Sequence, residues 1–111
     1  MGITKTELFT DAQNDLARIA KVFGHPARIA IIQHLLKVNA CICGDIVEAI
    51  DLAQPTISQH LKELKSVGII KGTVEGTSLC CCIDRDNWNA FRQLFEDFFN
   101  ALPAGCEDDC C

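Results

Sequence analysis

The segment from Cys43 to Gly68 constrains the fold of this chain more than any other. Ile46, Val47 and Ile50 recur there at helical spacing, with Asp45 in the first turn. Pro55 falls where a second helix begins, a position at which the missing N–H does no harm. Ile57, Leu61 and Leu64 make one apolar stripe at i, i+4 and i+7, and Gly68 ends that helix as a C-terminal cap. Gln54, Thr56, Ser58, Gln59, His60 and Lys62 are assigned to the opposite face. Short polar side chains and amides on one helical face suit the base edges and phosphates of a major groove. The segment therefore reads as a helix-turn-helix whose second helix is the recognition helix.

The flanks extend this reading. Leu8, Phe9, Ala12, Leu16, Ile19, Ala20 and Phe23 follow a helical repeat that Thr10 or Asp11 can cap and Gly24 stops. His25-Pro26 opens a second helix, with His25 as a cap and Ile29, Ile32, Leu35 and Leu36 facing inward. After Gly68, residues 69–74 and 78–83 read as two strands joined by the turn Glu75-Gly76-Thr77. A hairpin placed directly after a recognition helix is the wing of a winged helix. The last helix begins near Asp84 to Asn87 and runs to about Leu102, with Trp88, Phe91, Phe95, Phe98 and Leu102 on one stripe that Leu94 and Phe99 widen. One small core cannot absorb that stripe, so it is assigned to a homodimer interface together with the first helix. The expected class is mainly α with a small β-hairpin wing. Residues 1–102 form the DNA-binding and dimerisation domain, and residues 103–111 form a flexible, cysteine-rich acidic tail.

The 111 residues suffice for one domain, and a hydrophobic fraction of 49% is a surplus that fits burial against a second copy. No apolar run approaches the ~18 residues of a membrane helix and no signal peptide opens the chain, so a cytoplasmic location is expected. A net charge of −5 argues against a general polyanion binder. It is compatible with a local basic face, because Lys62, Lys65, Lys71 and Arg85 cluster in or after the helix-turn-helix. Glu96, Asp97, Glu107, Asp108 and Asp109 lie at the far end. An enzyme is not expected, because no nucleophile–base pair, phosphate loop, paired carboxylates or Cys-x-x-Cys spacing is present.

Five segments together resemble the arsenical-resistance-repressor (ArsR/SmtB) family of bacterial metal-responsive repressors. They are Phe23-Gly-His-Pro-Ala-Arg28, Ala40-Cys-Ile-Cys43, Gln54-Pro-Thr-Ile-Ser-Gln-His-Leu61, Leu64-Lys-Ser-Val-Gly-Ile-Ile70 and Glu75-Gly-Thr77. The resemblance implies a homodimeric repressor that binds double-stranded operator DNA near its own promoter, without a cofactor, and releases it when an inducer binds. Carried onto this chain, Gln54, Thr56, Ser58, Gln59 and His60 face the major groove and Lys62 and Lys71 touch phosphate. Gly76, Thr77 and Ser78 then form the wing tip near the minor groove.

Eight cysteines without a targeting signal point to metal, metalloid or redox chemistry rather than a disulfide framework. Cys41-x-Cys43 resembles the Cys-x-Cys that soft ions use in some family members. Two thiolates two residues apart at a helix start can converge on one ion, and the helix N-terminus favours the thiolate. As(III) or Sb(III) takes three thiolates, whereas a soft divalent metal takes three or four. The arsenite-type pattern has its third cysteine one turn later, where this chain has Asp45, Ile46 or Val47. The third ligand is therefore sought among Cys106, Cys110 and Cys111 in the tail. On the second wing strand Cys80 and Cys82 share one face and Cys81 the other, and core filling is the expected role of this trio. The last helix lacks histidine, so the histidine–carboxylate site of other members is absent. Two other readings of the cysteines stand beside the inducer site. One is a redox switch in the same repressor, and the other a thiol metal-buffering protein that does not bind DNA.

Overall fold

The computed structural model describes residues 6–43, 49–74 and 79–105 of the chain. The first helix of the helix-turn-helix (apart from Ala49 and Ile50, which are helical), the wing tip Gly76, Thr77 and Ser78, and the tail cysteines Cys106, Cys110 and Cys111 lie outside the described residues.

Helix α1 spans Asp11–Phe23 and opens on a reciprocal cap. The Gln13 backbone N–H donates to Thr10 Oγ1 at 3.0 Å, and the Thr10 N–H donates to Gln13 Oε1 at 2.9 Å. That exchange fixes where the helix starts. Leu8 and Phe9, which the periodicity would include, therefore precede it, and Thr6–Leu8 forms a 3₁₀ turn. Helix α2 spans Pro26–Val38; His25 caps it by accepting the Ala27 N–H on Nδ1 at 3.1 Å. It ends at Asn39, whose φ of 59° lies in the left-handed region that asparagine tolerates. Ile31, Ile32 and Leu35 of α2 are buried, whereas Ile29 and Leu36 stay exposed.

Helix α3, Gln54–Ser66, has Pro55 in its first turn and buries Ile57, His60, Leu61 and Leu64. Two hydrogen bonds close its end, Gly68 N–H to Lys65 O at 2.9 Å and Ile69 N–H to Leu64 O at 3.1 Å. This double closure needs a left-handed residue, and Gly68 supplies it with φ at +88°. The chain then enters a three-stranded antiparallel sheet made of β1 (Ile42–Cys43), β2 (Ile70–Thr73) and β3 (Cys80–Ile83), in the order β1-β3-β2. Strands β2 and β3 are the expected wing. Strand β1 is a departure from the reading of Cys41 to Cys43 as a helix start: Cys43 pairs with Cys80, and Ile42 with Cys81.

Helix α4, Arg85–Asn100, is capped by Asp84, which accepts the Asn87 N–H at 3.1 Å. The core lies between α2, α3 and the inner face of the sheet, with Ile31, Leu35, Ile57, Leu61, Leu64, Ile69 and Cys81 at its centre. Helix α4 contributes only half-buried side chains, Trp88 and Phe91, and none of its residues is fully buried.

Two glycines are held by their surroundings. A Cβ on Gly68 would come within 2.7 Å of Asn87 Nδ2, the group that donates to the Gly68 carbonyl at 3.0 Å. At Gly72, with φ at +119°, a Cβ would stand 2.2 Å from the Cys80 carbonyl oxygen and 2.9 Å from Cys81 Cα. Side chains can turn away; ladder backbone cannot. Gly68→Ala is expected to cost about 1–3 kcal/mol from its φ alone. Gly72→Ala should cost more and separate β2 from β3. Urea midpoints of the two variants check the order.

Candidate nucleic-acid interface and thiol cluster

The recognition helix divides its side chains by the period of the helix. Ile57, Leu61 and Leu64 are fully buried and hold α3 against α2 and the sheet. That anchoring leaves Gln54, Thr56, Gln59 and Lys62 exposed and Ser58 half-buried. Lys71 is exposed on β2. Lys65 Nζ donates to the Gly72 carbonyl at 2.6 Å, which ties the end of α3 to the first wing strand. The basic side chains thus gather where α3 meets the wing. Two exposed carboxylates toward the end of α4 are occupied on their own helix: Glu96 pairs with Arg92 at 3.6 Å, and Asp97 accepts from Gln93 at 2.8 Å.

His60 departs from the polar face. Only 8% of its surface is exposed, because its ring turns toward α2 rather than solvent. Arg28 Nε donates to His60 Nδ1 at 3.2 Å, and Arg28 Nη1 donates to the Val22 carbonyl at 3.3 Å. The rings of His25 and His60 lie 4.5 Å apart. Arg28 and His60 therefore join α1, α2 and α3, so the contact assigned to His60 on the DNA face is corrected to a packing one. Sequence periodicity could not reveal this, since the partners are 32 residues apart.

The bond from Arg28 requires an unprotonated Nδ1. Burial, then the neighbouring His25 ring and the Arg28 guanidinium, hold His60 below its ordinary value of 6.5, with Glu63 opposing them. In the window below that value the unfolded chain binds the proton and the folded one resists it, so stability falls as pH falls. Urea midpoints are expected to decline from pH 7 to pH 5. His60→Gln should flatten that slope while lowering stability at pH 7.

The cysteines divide across the sheet. Cys81 is 1% exposed and faces the core opposite Ile42, and burial pushes its thiol up to about 11. It is the inert, core-filling member of its trio. Cys80 and Cys82 occupy the other face and are half-buried, which corrects the core assignment for those two. The β1–β3 register sets Cys43 opposite Cys80, and one step further it brings Cys41 beside Cys82. Cys41 lies beside Cys82 along one cleft wall. The Cys41 thiol, and then burial, raise the Cys82 thiol, while Lys71 and Arg85 pull the other way. Cys80 is disulfide-bonded, and Cys41 and Cys82 are free thiols.

Cys41 and Cys82 also line a cleft of about 330 Å³ between the end of α2, β3 and the start of α4. Its other walls include Leu36, Lys71, Asp84 and Trp88. Arg85 hydrogen bonds to Asn39 across this cleft and fastens α4 to the end of α2. Among the described residues no group of three or more His, Cys, Asp or Glu side chains converges on one point. None of their helices is long and apolar enough to cross a membrane.

Residues 25–71 match the profile of the bacterial regulatory protein, arsR family. An uncharacterized HTH-type transcriptional regulator of Methanocaldococcus jannaschii is 44% identical over 62 residues, which are 55% of this chain and 68% of that protein. The HTH-type transcriptional repressor SmtB of Mycobacterium tuberculosis is 38% identical over 66 residues, 60% of this chain; the match spans 46%, about half, of the SmtB length. A cadmium resistance transcriptional regulatory protein CadC homolog of Staphylococcus aureus is 30% identical over 96 residues, 86% of this chain and 76% of the relative. Among solved structures, an ArsR family transcriptional regulator superposes with a TM-score of 0.65 at 18% identity, covering 84% of this chain and 95% of that one. These relatives are regulators of transcription, not enzymes.

Proposed function

Because the chain belongs to the ArsR/SmtB family of winged-helix transcriptional repressors, we propose that it holds its operator as a homodimer and releases it when a thiophilic inducer occupies Cys41 and Cys43. The observation that carries the DNA half is the exposed face of α3, where Gln54, Thr56, Gln59 and Lys62 point away from a fully buried Ile57-Leu61-Leu64 stripe. In this reading Gln54, Thr56 and Gln59 meet base edges, Ser58 supports them, and Lys62 and Lys71 neutralise phosphate. Gly76, Thr77 and Ser78 belong to the wing tip that reaches the minor groove. Residues 1–102 act as one unit and residues 103–111 as a tail.

Dimerisation is supported by α4. It carries Trp88, Phe91, Leu94, Phe95, Phe98 and Phe99, yet none of them is fully buried in a single protomer. Phe98, Phe99 and Leu102 are 59%, 68% and 76% exposed. A cluster of that size on a small protein marks an interface.

The inducer half follows from thiolate chemistry without histidine, which selects As(III), Sb(III) or a soft divalent ion. One relative carries a cadmium-resistance name. The inducer must bind the DNA-free state better than the operator-bound state, and a ~100-fold preference corresponds to ~3 kcal/mol of coupling. Titrating reduced protein on operator DNA with arsenite or cadmium is the test. The wild type is expected to release, while Cys41→Ser with Cys43→Ser stays bound; release by the double variant would refute the sensor.

The disulfide at Cys80 favours a second reading, a repressor of the same fold whose cysteines respond to oxidation. It predicts release by oxidant in the absence of any ion.

A further inference from the structure

We infer that Cys41, Cys43, Cys80 and Cys82 form one cross-strand thiol site for a thiophilic ion, so that the wing strand β3 supplies the ligands the Cys41-x-Cys43 pair lacks. The inference rests on the sensor reading above and specifies its ligand set.

The sheet register carries it. Ile42 and Cys81 are paired and both buried, 5% and 1% exposed, so they define the inner face of the β1–β3 ladder. Alternation then assigns Cys80 and Cys82 to the outer face, and Cys43 holds the register position opposite Cys80. One register step from Ile42 and Cys81 sets Cys41 opposite Cys82, and both line the same cleft. Four cysteines thus hold two successive cross-strand register positions, Cys41 with Cys82 and Cys43 with Cys80. The third strand adds charge: Lys71 pairs with Cys82 and Thr73 with Cys80 in the β2–β3 register. The cleft at Cys41 and Cys82 gives a ligand a way in.

The chemistry balances with the thiols reduced. A dithiol reductant first converts the Cys80 disulfide to two thiols and itself becomes a disulfide. Arsenous acid then exchanges its three hydroxyls for three of the cysteine sulfurs, each thiol proton leaving with a hydroxyl as water. A divalent cadmium ion displaces four protons and takes all four sulfurs.

The site explains how binding reaches DNA. An ion held by β1 and β3 clamps the wing hairpin onto the strand that leads to the helix-turn-helix. Lys71, the proposed phosphate contact, sits beside Cys82 on the neighbouring strand. Closing the thiols around an ion therefore re-aims the wing and its lysine together.

The test alkylates wild-type protein reduced with a phosphine, which competes less for the ion than a thiol does, before and after one equivalent of arsenite or cadmium, and locates the labels by mass spectrometry. Arsenite is expected to protect Cys41, Cys82 and one of Cys43 and Cys80; cadmium is expected to protect all four. Cys106, Cys110 and Cys111 should label as in ion-free protein. Cys82→Ser should weaken cadmium binding by at least ~10-fold, the scale on which even outer-shell partners of metal ligands act. Protection of Cys41 and Cys43 together with the tail cysteines, while Cys80 and Cys82 label freely, would overturn the site and leave the sensor reading standing. Absence of any protection by either ion would overturn both.

Discussion

Replacing Thr56 and Gln59 together with alanine is expected to lower operator affinity about 1,000-fold while leaving the fold intact. Both side chains are exposed on α3, away from the buried Ile57, Leu61 and Leu64. Exposed helix positions of this kind change stability by no more than about 0.5 kcal/mol. Each lost base contact costs ~1 kcal/mol or more, and two contacts vanish in each half-site of a dimer's operator. The loss should be confined to the operator, with affinity for unrelated DNA nearly unchanged. Lys62→Ala provides the contrast. It should weaken binding to every sequence alike and reduce the salt slope by about one, as removal of a phosphate contact does. Anisotropy titrations on operator and unrelated DNA at several salt concentrations separate the two patterns. An equal loss on both DNAs from the Thr56, Gln59 variant would remove α3 as the reader.

The second large effect is expected at α4. Phe98→Ser with Phe99→Ser should convert the proposed dimer to a monomer whose core is unharmed. Both rings are more than half exposed, and neither belongs to the buried cluster formed by α2, α3 and the sheet. Burying a phenylalanine side chain contributes about 1.5 kcal/mol or more. Counted over the four rings of a dimer, their loss lowers the association constant by roughly 10,000-fold. Sedimentation equilibrium should then show a monomer at concentrations where the wild type is dimeric. Operator affinity should fall with it, because one protomer reaches only one half-site. The thermal midpoint of the monomer reports the intact core. A double variant that still sediments as a dimer would move the interface off this end of α4. Phe95, whose ring centroid is 6.0 Å from that of Phe23, joins α4 to α1 and is kept in the design for that reason.

The architecture was readable from residues whose effects are local. Thr10, Gly68 and Asp84 mark helix ends through bonds to neighbours a few positions away, Pro26 and Pro55 mark helix starts by the N–H they lack, and each of those marks stands in the structure. The 3.6-residue stripe of α3 identified its buried side for the same reason. Features set by distant partners were not readable. His60 has the polarity of a surface residue, and only Arg28 and His25, brought in by α2, make its burial tolerable. Strand β1 is two residues long and too short to show any period. Without β1, nothing in the spacing of Cys80, Cys81 and Cys82 says which of them meets Cys41. The alternation along β3 was legible, but the identity of the inner face was not, because it is decided by the pairing of Ile42 with Cys81. The packing roles of Arg28 and Lys65 were not legible for a related reason. Their value lies in carbonyl and ring acceptors on other elements.

Whether one chain reads an operator and lets it go through thiols is decided by fluorescence anisotropy of reduced wild-type protein on labelled DNA from its own promoter. Binding should be tight, and on the order of 1,000-fold or more tighter than to a scrambled duplex at the same salt. One equivalent of arsenite or cadmium per protomer should weaken it ~100-fold, in step with ~3 kcal/mol of coupling. Equal affinity for the promoter and the scrambled duplex would rule out operator reading, and an operator affinity that neither ion changes would rule out release through the thiols.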